Sequence, residues 1–431
     1  MNDNTPIYNL KAAIHEVGLS AATLRAWESR YGLPHPQRTP GGHRLYSRQD
    51  IEMLKWLVER QNEGLSISRA VEMWKTLPEA AQITSGQTTS PVLISSTGEV
   101  MIDELRDRWI AACSVFDDQA ANHALDQAFA MAAPETICSE VLQKGLAQIG
   151  ERWYTGSISV QQEHFASAIA IRRLNNLLAA TTSPTRSGHI LAACPPGEEH
   201  DFVLLMIAYL LRRGGWDVVY LGSNVPLKDL DATIQSTKPS LVLSTAQTLN
   251  SAASLRTMSE TVAHQGVPLA YGGGIFVSAP LITHCISGYY LGTEVAKVPQ
   301  MVERLVAAPP PMPTAQSVSF EYTQTLGRFL QNEAFIVGHV ASLMQAEPIE
   351  PAHVEITNAH LTRMISSALI LGDINLLDHS ATWLNGMLKN RGLSTFRVMQ
   401  FYKTYRQAVE RYLGDDSGII QQWLAKSQLF T

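Results

Sequence analysis

The chain has 431 residues, 45% of them hydrophobic and 17% charged, which is enough for two to four ordinary globular domains. A formal charge of −6 excludes a protein that is basic along its whole length, so any contact with nucleic acid has to be local. Four cysteines, at 113, 138, 194 and 285, have no CxxC spacing and read as buried or free thiols of a reducing compartment. The N-terminal MNDNTPIYNLKAAIHE lacks the apolar run of a signal peptide, and no stretch approaches about 20 apolar residues. The expectation is a cytoplasmic protein with no membrane partner.

Composition divides the chain into an Arg-rich helical unit at 1–77, a polar linker at 78–99 and a helical bundle at 100–184. There follow an α/β stretch at 185–308, a semi-rigid Pro-rich linker at 309–319 and a second helical domain at 320–431. In the first unit, YNLKAAIHEVGLSAATLRAWESRY (8–31) predicts a short helix, a turn at Gly18 and a second helix opening at Ser20, whose hydroxyl suits an N-cap. The second helix carries Arg25 and Arg30, whose guanidinium forks match bases or phosphates in a major groove. Next, RTPGGHRLY (38–46) predicts a tight Pro-Gly-Gly turn between two short strands, a wing. From Arg25 to Arg48 there are five arginines and one acidic residue, Glu28, a positive footprint that the whole-chain charge hides.

The runs LRAWESRYGLP, RTPGGHRLYS and DIEMLKWL resemble the MerR family of DNA-binding regulators along nearly all of residues 7–77. That resemblance implies a winged helix-turn-helix and a double-stranded DNA operator as partner. It puts Arg25, Arg30 and Tyr31 on or just after the recognition helix, and Arg38, His43, Arg44 and Tyr46 in the wing and its phosphate contacts. Trp27 and Tyr31 have a second reading as packing of the small core, which is the better one for Trp27. SISRAVEMWKTLP ends in Pro78 without a long heptad helix, so dimerisation by coiled coil is not expected and the sensor belongs to the later domains.

In the α/β stretch, HILAACP, DVVYLG, LVLSTA, PLAYGGG and GYYLG read as buried strands with helical segments between them, a parallel sheet. PPGEEHDFVLL directly follows the first strand, and loops at the carboxyl ends of such strands are where ligands bind. Glu198-x-His200 in this position resembles the lower-ligand motif of cobalamin-binding domains, with flavodoxin-like (Rossmann-like) strand order. The resemblance implies that His200 binds the cobalt, that Ser244 lies beside the buried nucleotide tail, and that Gly272 and Gly273 leave room for it. Val203 and Ala246 depart from the family's usual glycine and leucine, and Val203 is expected to crowd the tail pocket.

In ERWYTGSISVQQEH, Trp153 is followed ten and eleven residues later by Glu163 and His164. This spacing resembles the cap of cobalamin-dependent photoreceptor regulators of the CarH and LitR type. It implies adenosylcobalamin as cofactor, a light response, and self-association as a dimer or tetramer on DNA. Tyr154 stands where that family often has a histidine, and a phenol with a reference pKa of about 10 is a poorer cobalt ligand. The departures keep two alternatives open: a linear bilin such as biliverdin, with Cys194 as a conceivable attachment point, or cobalamin sensing without photochemistry.

Residues 320–431 show helical spacing and no metal, phosphate or nucleophile motif, and read as a bundle for oligomerisation, partner binding or pocket covering. With no P-loop, GxSxG, HExxH or substrate barrel, an enzyme is not expected. The expected fold class is multidomain α and α/β: winged helix-turn-helix, helical-bundle cap, flavodoxin-like parallel sheet and C-terminal helical domain.

Overall fold

A computed structural model of the full chain describes residues 8–17, 19, 23–24, 27–28, 33–34, 36–38, 44–62, 71, 74, 96–345, 351–390 and 395–426. They form two compact units, which divide between Ser95 and Ser96.

In the first unit, β1 (Tyr8–Asn9), α1 (Leu10–Val17), β2 (Gln37–Arg38), β3 (Arg44–Tyr46) and α2 (Arg48–Asn62) follow in order. Both β1 and β2 pair antiparallel with β3, so the expected wing is present, with Gln37 opposite Leu45 and Arg38 opposite Arg44. Ala13, Leu24, Trp27, Tyr46, Leu54, Leu57 and Trp74 are among the buried residues of one small core. Trp27 is therefore a packing residue. The N-cap expected at Ser20 lies outside the described residues.

The second unit opens with a bundle: α3 (Ser96–Ser114), α4 (Asp118–Met131), α5 (Pro134–Ile137), a π-helical turn (Cys138–Gln143), α6 (Lys144–Tyr154) and α7 (Val160–Ala179). Ser159 and Gln162 form a reciprocal capping box that starts α7 immediately after the turn from α6. The Gln162 side chain also donates to the Ser114 carbonyl, which fastens the α3–α4 corner to the same end of the bundle.

The sheet follows, with β4 (His189–Ala193), α8 (Phe202–Arg213), β5 (Asp217–Gly222), α9 (Leu230–Thr237), β6 (Leu241–Thr245) and α10 (Leu249–His264). It is completed by β7 (Leu269–Gly272), α11 (Gly274–Ser278), β8 (Tyr289–Tyr290) and α12 (Val298–Ala307). All five strands are parallel in the order β5-β4-β6-β7-β8, the flavodoxin-like order expected from sequence. The chain adds β5 on one side of β4 and β6 on the other, so the carboxyl-end loops of β4 and β6 flank the switch point at which open α/β sheets bind ligands.

The two faces of the sheet belong to different cores. Ile190, Ala192, Leu241, Leu243 and Ala270 pack with α8, α12 and the bundle α3–α7. Leu191, Ala193, Val242 and Tyr271 pack with α10 and with the C-terminal helices α13 (Phe320–Met344), α14 (Pro351–Leu371), α15 (Leu377–Asn390), α16 (Thr395–Leu413) and α17 (Gly418–Lys426). The alternation of neighbouring strand residues between these cores is the two-residue period of a strand buried on both sides.

The Pro-rich stretch before α13 is fastened down. Its Pro310, Pro313 and Gln316 carbonyls accept from the Tyr289 hydroxyl, the Gly288 N–H and the Arg256 guanidinium respectively. Arg256 also donates to the Cys285 carbonyl at 2.9 Å, so one buried cation pins two chain segments. No described helix is long and apolar enough to cross a membrane.

Candidate functional site

In the first unit, Arg25, Arg30, Tyr31 and His43 lie outside the described residues, as does the side chain of Arg38. Arg44 and Tyr46 converge on Glu28: Arg44 Nε lies 2.8 Å from one carboxylate oxygen and the Tyr46 hydroxyl donates to the other at 2.5 Å. Tyr46 is fully buried, which corrects its expected place among the phosphate contacts: its hydroxyl ties the wing to the helix bearing Glu28. The one acidic residue in the arginine cluster is thus an internal brace. Glu28→Ala is expected to cost about 1–3 kcal/mol, because it removes the acceptor for both groups. A lowered first transition in thermal unfolding, with the second unit unchanged, is the measurement.

In the second unit, the loop after β4 carries Glu198, with no exposed surface at all. One of its oxygens accepts from the His200 backbone N–H at 2.8 Å and from His200 Nδ1 at 2.9 Å. The other accepts from the Gln247 N–H at 2.6 Å and the Ser251 hydroxyl at 2.7 Å. Glu198 thereby joins the β4 loop to the β6 loop across the switch point. Burial alone pushes its carboxyl up, but the bonds from His200, Ser251 and Gln247 outweigh this and hold it below the ordinary 4.5.

A carboxylate only accepts, so Nδ1 of His200 carries a proton, and in the neutral imidazole Nε2 keeps its lone pair. The His200 side chain is 67% exposed beside its fully buried partner, so the free nitrogen belongs to a ring open to the cleft. The bond to Glu198 raises the His200 pKa against the opposing effect of partial burial, and Glu163 and Glu199 act in the same sense. Glu163, in the first turn of α7, thus lies close enough to act on His200 electrostatically. This arrangement, a histidine fixed in one tautomer by a buried carboxylate, is the usual second shell of a metal-binding imidazole, and it fits a cobalt lower ligand.

Glu163 accepts from His164 Nδ1 at 2.7 Å and from the Ser167 hydroxyl at 2.8 Å, while His164 itself points largely to solvent. Trp153, at the end of α6, packs against Trp383 of α15 in a tilted ring contact with centroids 6.0 Å apart. Tyr154 lies 5.6 Å from the same ring. A Cβ on Gly386 would come within 2.0 Å of the Tyr154 hydroxyl, so the phenol at this position seats a C-terminal helix.

The residues expected around a nucleotide tail are brought together differently. The Ser244 hydroxyl donates to the Ala193 carbonyl at 2.7 Å and lies 3.7 Å from the Met258 sulfur. Admitting a tail beside Ser244 requires Met258 to move, which an unbranched thioether does readily. Val203 packs against the core shared with the bundle α3–α7, whereas Met258 belongs to the opposite core. Gly273 has φ +126°, and a Cβ there would fall 2.0 Å from the Ala246 carbonyl oxygen; at Gly272 the nearest atom would be 3.9 Å away. Of the two glycines, Gly273 serves the backbone crossing and Gly272 leaves space.

All four cysteines are buried and unpaired with one another. Burial pushes Cys113 and Cys138 up to about 12 and raises Cys194 further, so the Cys194 thiol is not poised as a nucleophile.

Residues 8–77 match the family described as MerR HTH family regulatory protein, and residues 105–178 and 188–305 match two families described as B12 binding domain. The HTH-type transcriptional repressor CarH of Myxococcus xanthus is 34% identical over 236 residues, covering 54% of this chain and 77% of that one. The chain belongs to the MerR-type transcriptional regulators with cobalamin-binding domains. The repressor CarA of the same organism is 31% identical over 227 residues, with 52% and 71% covered. The methanol–corrinoid protein of Methanosarcina barkeri is 28% identical over 127 residues, 29% of this chain and 48% of that one.

Sequence reasoning missed three residues of this regulator's site. Gln247 and Ser251 hold Glu198 from about 50 positions away; the Thr248–Ser251 capping box marks the start of α10 but gives no hint of the carboxylate. Trp383 had no local signal at all.

Proposed function

We propose that this regulator senses adenosylcobalamin and releases or grips its DNA operator in response to light. The observation that carries the reading is the buried Glu198 carboxylate holding His200 with Nε2 free at the sheet's switch point. His200 would take the lower cobalt position; Glu163, which acts electrostatically on His200, and Trp153 of the same bundle would exclude water from the upper face. When bound, adenosylcobalamin supplies a cobalt–carbon bond that visible light breaks. Self-association as a dimer or tetramer would multiply operator affinity through effective concentration, and losing it would release DNA.

The test is the visible spectrum of protein purified after incubation with adenosylcobalamin, in the dark and after green light. A retained corrinoid spectrum that shifts on illumination is expected, with retention lost in His200→Ala. Protein that retains no corrinoid would falsify the reading.

One observation favours a second reading, cobalamin sensing without photochemistry. Tyr154 lies against Trp383 and Gly386, so it is not available to take the upper cobalt position after photolysis. A bound corrinoid whose spectrum and operator affinity ignore light would select it.

A further inference from the structure

The two helical bundles of the second unit are rooted on opposite faces of the sheet, yet they touch at the end of α6. The rings of Trp153 and Tyr154 both lie against Trp383, their planes inclined to it by 31° and 33°. Asn390 donates from Nδ2 to the Tyr154 carbonyl at 3.2 Å, one further tie along the same helix. Helix α15 can hold this position because its first half is sunk in the C-terminal core. Leu377 and Ala381 are buried there, and Asp378 accepts the Trp423 indole N–H at 2.7 Å. Trp383 itself keeps 40% of its surface exposed, whereas Trp109 and Trp423 are packed to 1% or less. A large ring left this open is not explained by packing of its own domain.

We propose that Trp383 determines the ligand specificity of the site, by holding the Trp153 ring in the position that receives the upper substituent of a corrinoid. This rests on the reading of the cleft as a cobalamin site. Trp383 is a positioning residue: it acts through Trp153, and the C-terminal bundle thereby contributes to a site otherwise built from α3–α7 and the sheet. A bulky organic group on the upper face has to pack against Trp153, while a water or hydroxide ligand does not. Adenosylcobalamin and hydroxocobalamin share the corrin and the bond to His200, so they differ in the part of the site that Trp383 controls.

The experiment titrates full-length wild type, Trp383→Ala, Trp383→Leu and Trp383→Phe with each corrinoid in the dark, followed by visible absorbance. The alanine variant is expected to lose roughly three- to tenfold in affinity for adenosylcobalamin, the worth of an aromatic pair, with hydroxocobalamin binding unchanged. The leucine variant keeps apolar cover over the bundle and shows the same selective loss should the alanine protein fail to fold. Phenylalanine restores most of the affinity. Equal losses for both corrinoids, or no loss for either, overturn the role of Trp383. Wild-type protein that binds neither corrinoid overturns the cobalamin reading and this role with it.

Discussion

Replacing Glu198 by alanine is expected to destabilise the second unit by about 3 kcal/mol or more, one of the two largest effects of any single substitution in the site. Three backbone or hydroxyl donors and the His200 ring converge on this fully buried carboxylate, and alanine removes every acceptor at once. Glutamine is also costly. A carboxylate accepts on both oxygens, whereas an amide accepts on one and would turn its NH2 either on the Gln247 N–H or on the His200 N–H. The pH dependence has a definite sign. The folded-state carboxyl is held below its ordinary 4.5, so its stabilisation is present above that pH and is lost as pH falls through the depressed folded value. Urea midpoints at pH 7 and at successive steps towards pH 3 would show a steep acid limb in wild type and a shallower one in Glu198→Gln. Parallel limbs in the two proteins would refute the account.

Gly273→Ala is the second large effect. The added methyl carbon would stand 2.0 Å from the Ala246 oxygen and under 3 Å from the Ala246 C and N atoms. These are backbone atoms of a residue whose own N–H is bonded to the Gly272 carbonyl at 3.0 Å, so they have little room to retreat. The backbone at φ +126° adds strain that an L side chain rarely bears. Strain and overpacking together predict a loss of about 3–5 kcal/mol. Gly272→Ala, with its nearest neighbour at 3.9 Å, is expected to leave the urea midpoint almost unmoved. If the two substitutions cost the same, the distinction between a backbone crossing and an open slot fails.

Much of the fold was legible because the relevant signals are local. Five apolar runs punctuated by glycines became five parallel strands, and the loop after the first of them carries the fixed histidine. The short strands expected on either side of the Pro-Gly-Gly run pair as a wing. What could not be read lies in contacts between distant parts of the chain. Tyr154 was visible as a departure from the family pattern, but its reason, Gly386 and Trp383, lies more than 200 residues away. The family resemblance put Tyr46 in the wing and its phosphate contacts, whereas its burial and its bond to Glu28 depend on another element. Met258 beside Ser244 is a tertiary fact of the same kind.

The junction between the two bundles also sets an energy scale. Among the described residues it includes two ring contacts and one hydrogen bond, Asn390 to Tyr154. Such contacts are worth about 0.5–1.5 kcal/mol each, which makes a latch of roughly 2–4 kcal/mol in all. At a factor of ten per 1.4 kcal/mol, the latch stands open in roughly one molecule in 30 to one in 700. A ligand that prefers the open form by about a thousandfold would invert a population of one in 30, whereas one in 700 would need a preference of about 5 × 10⁵-fold; in either case the C-terminal bundle would be placed to report the change.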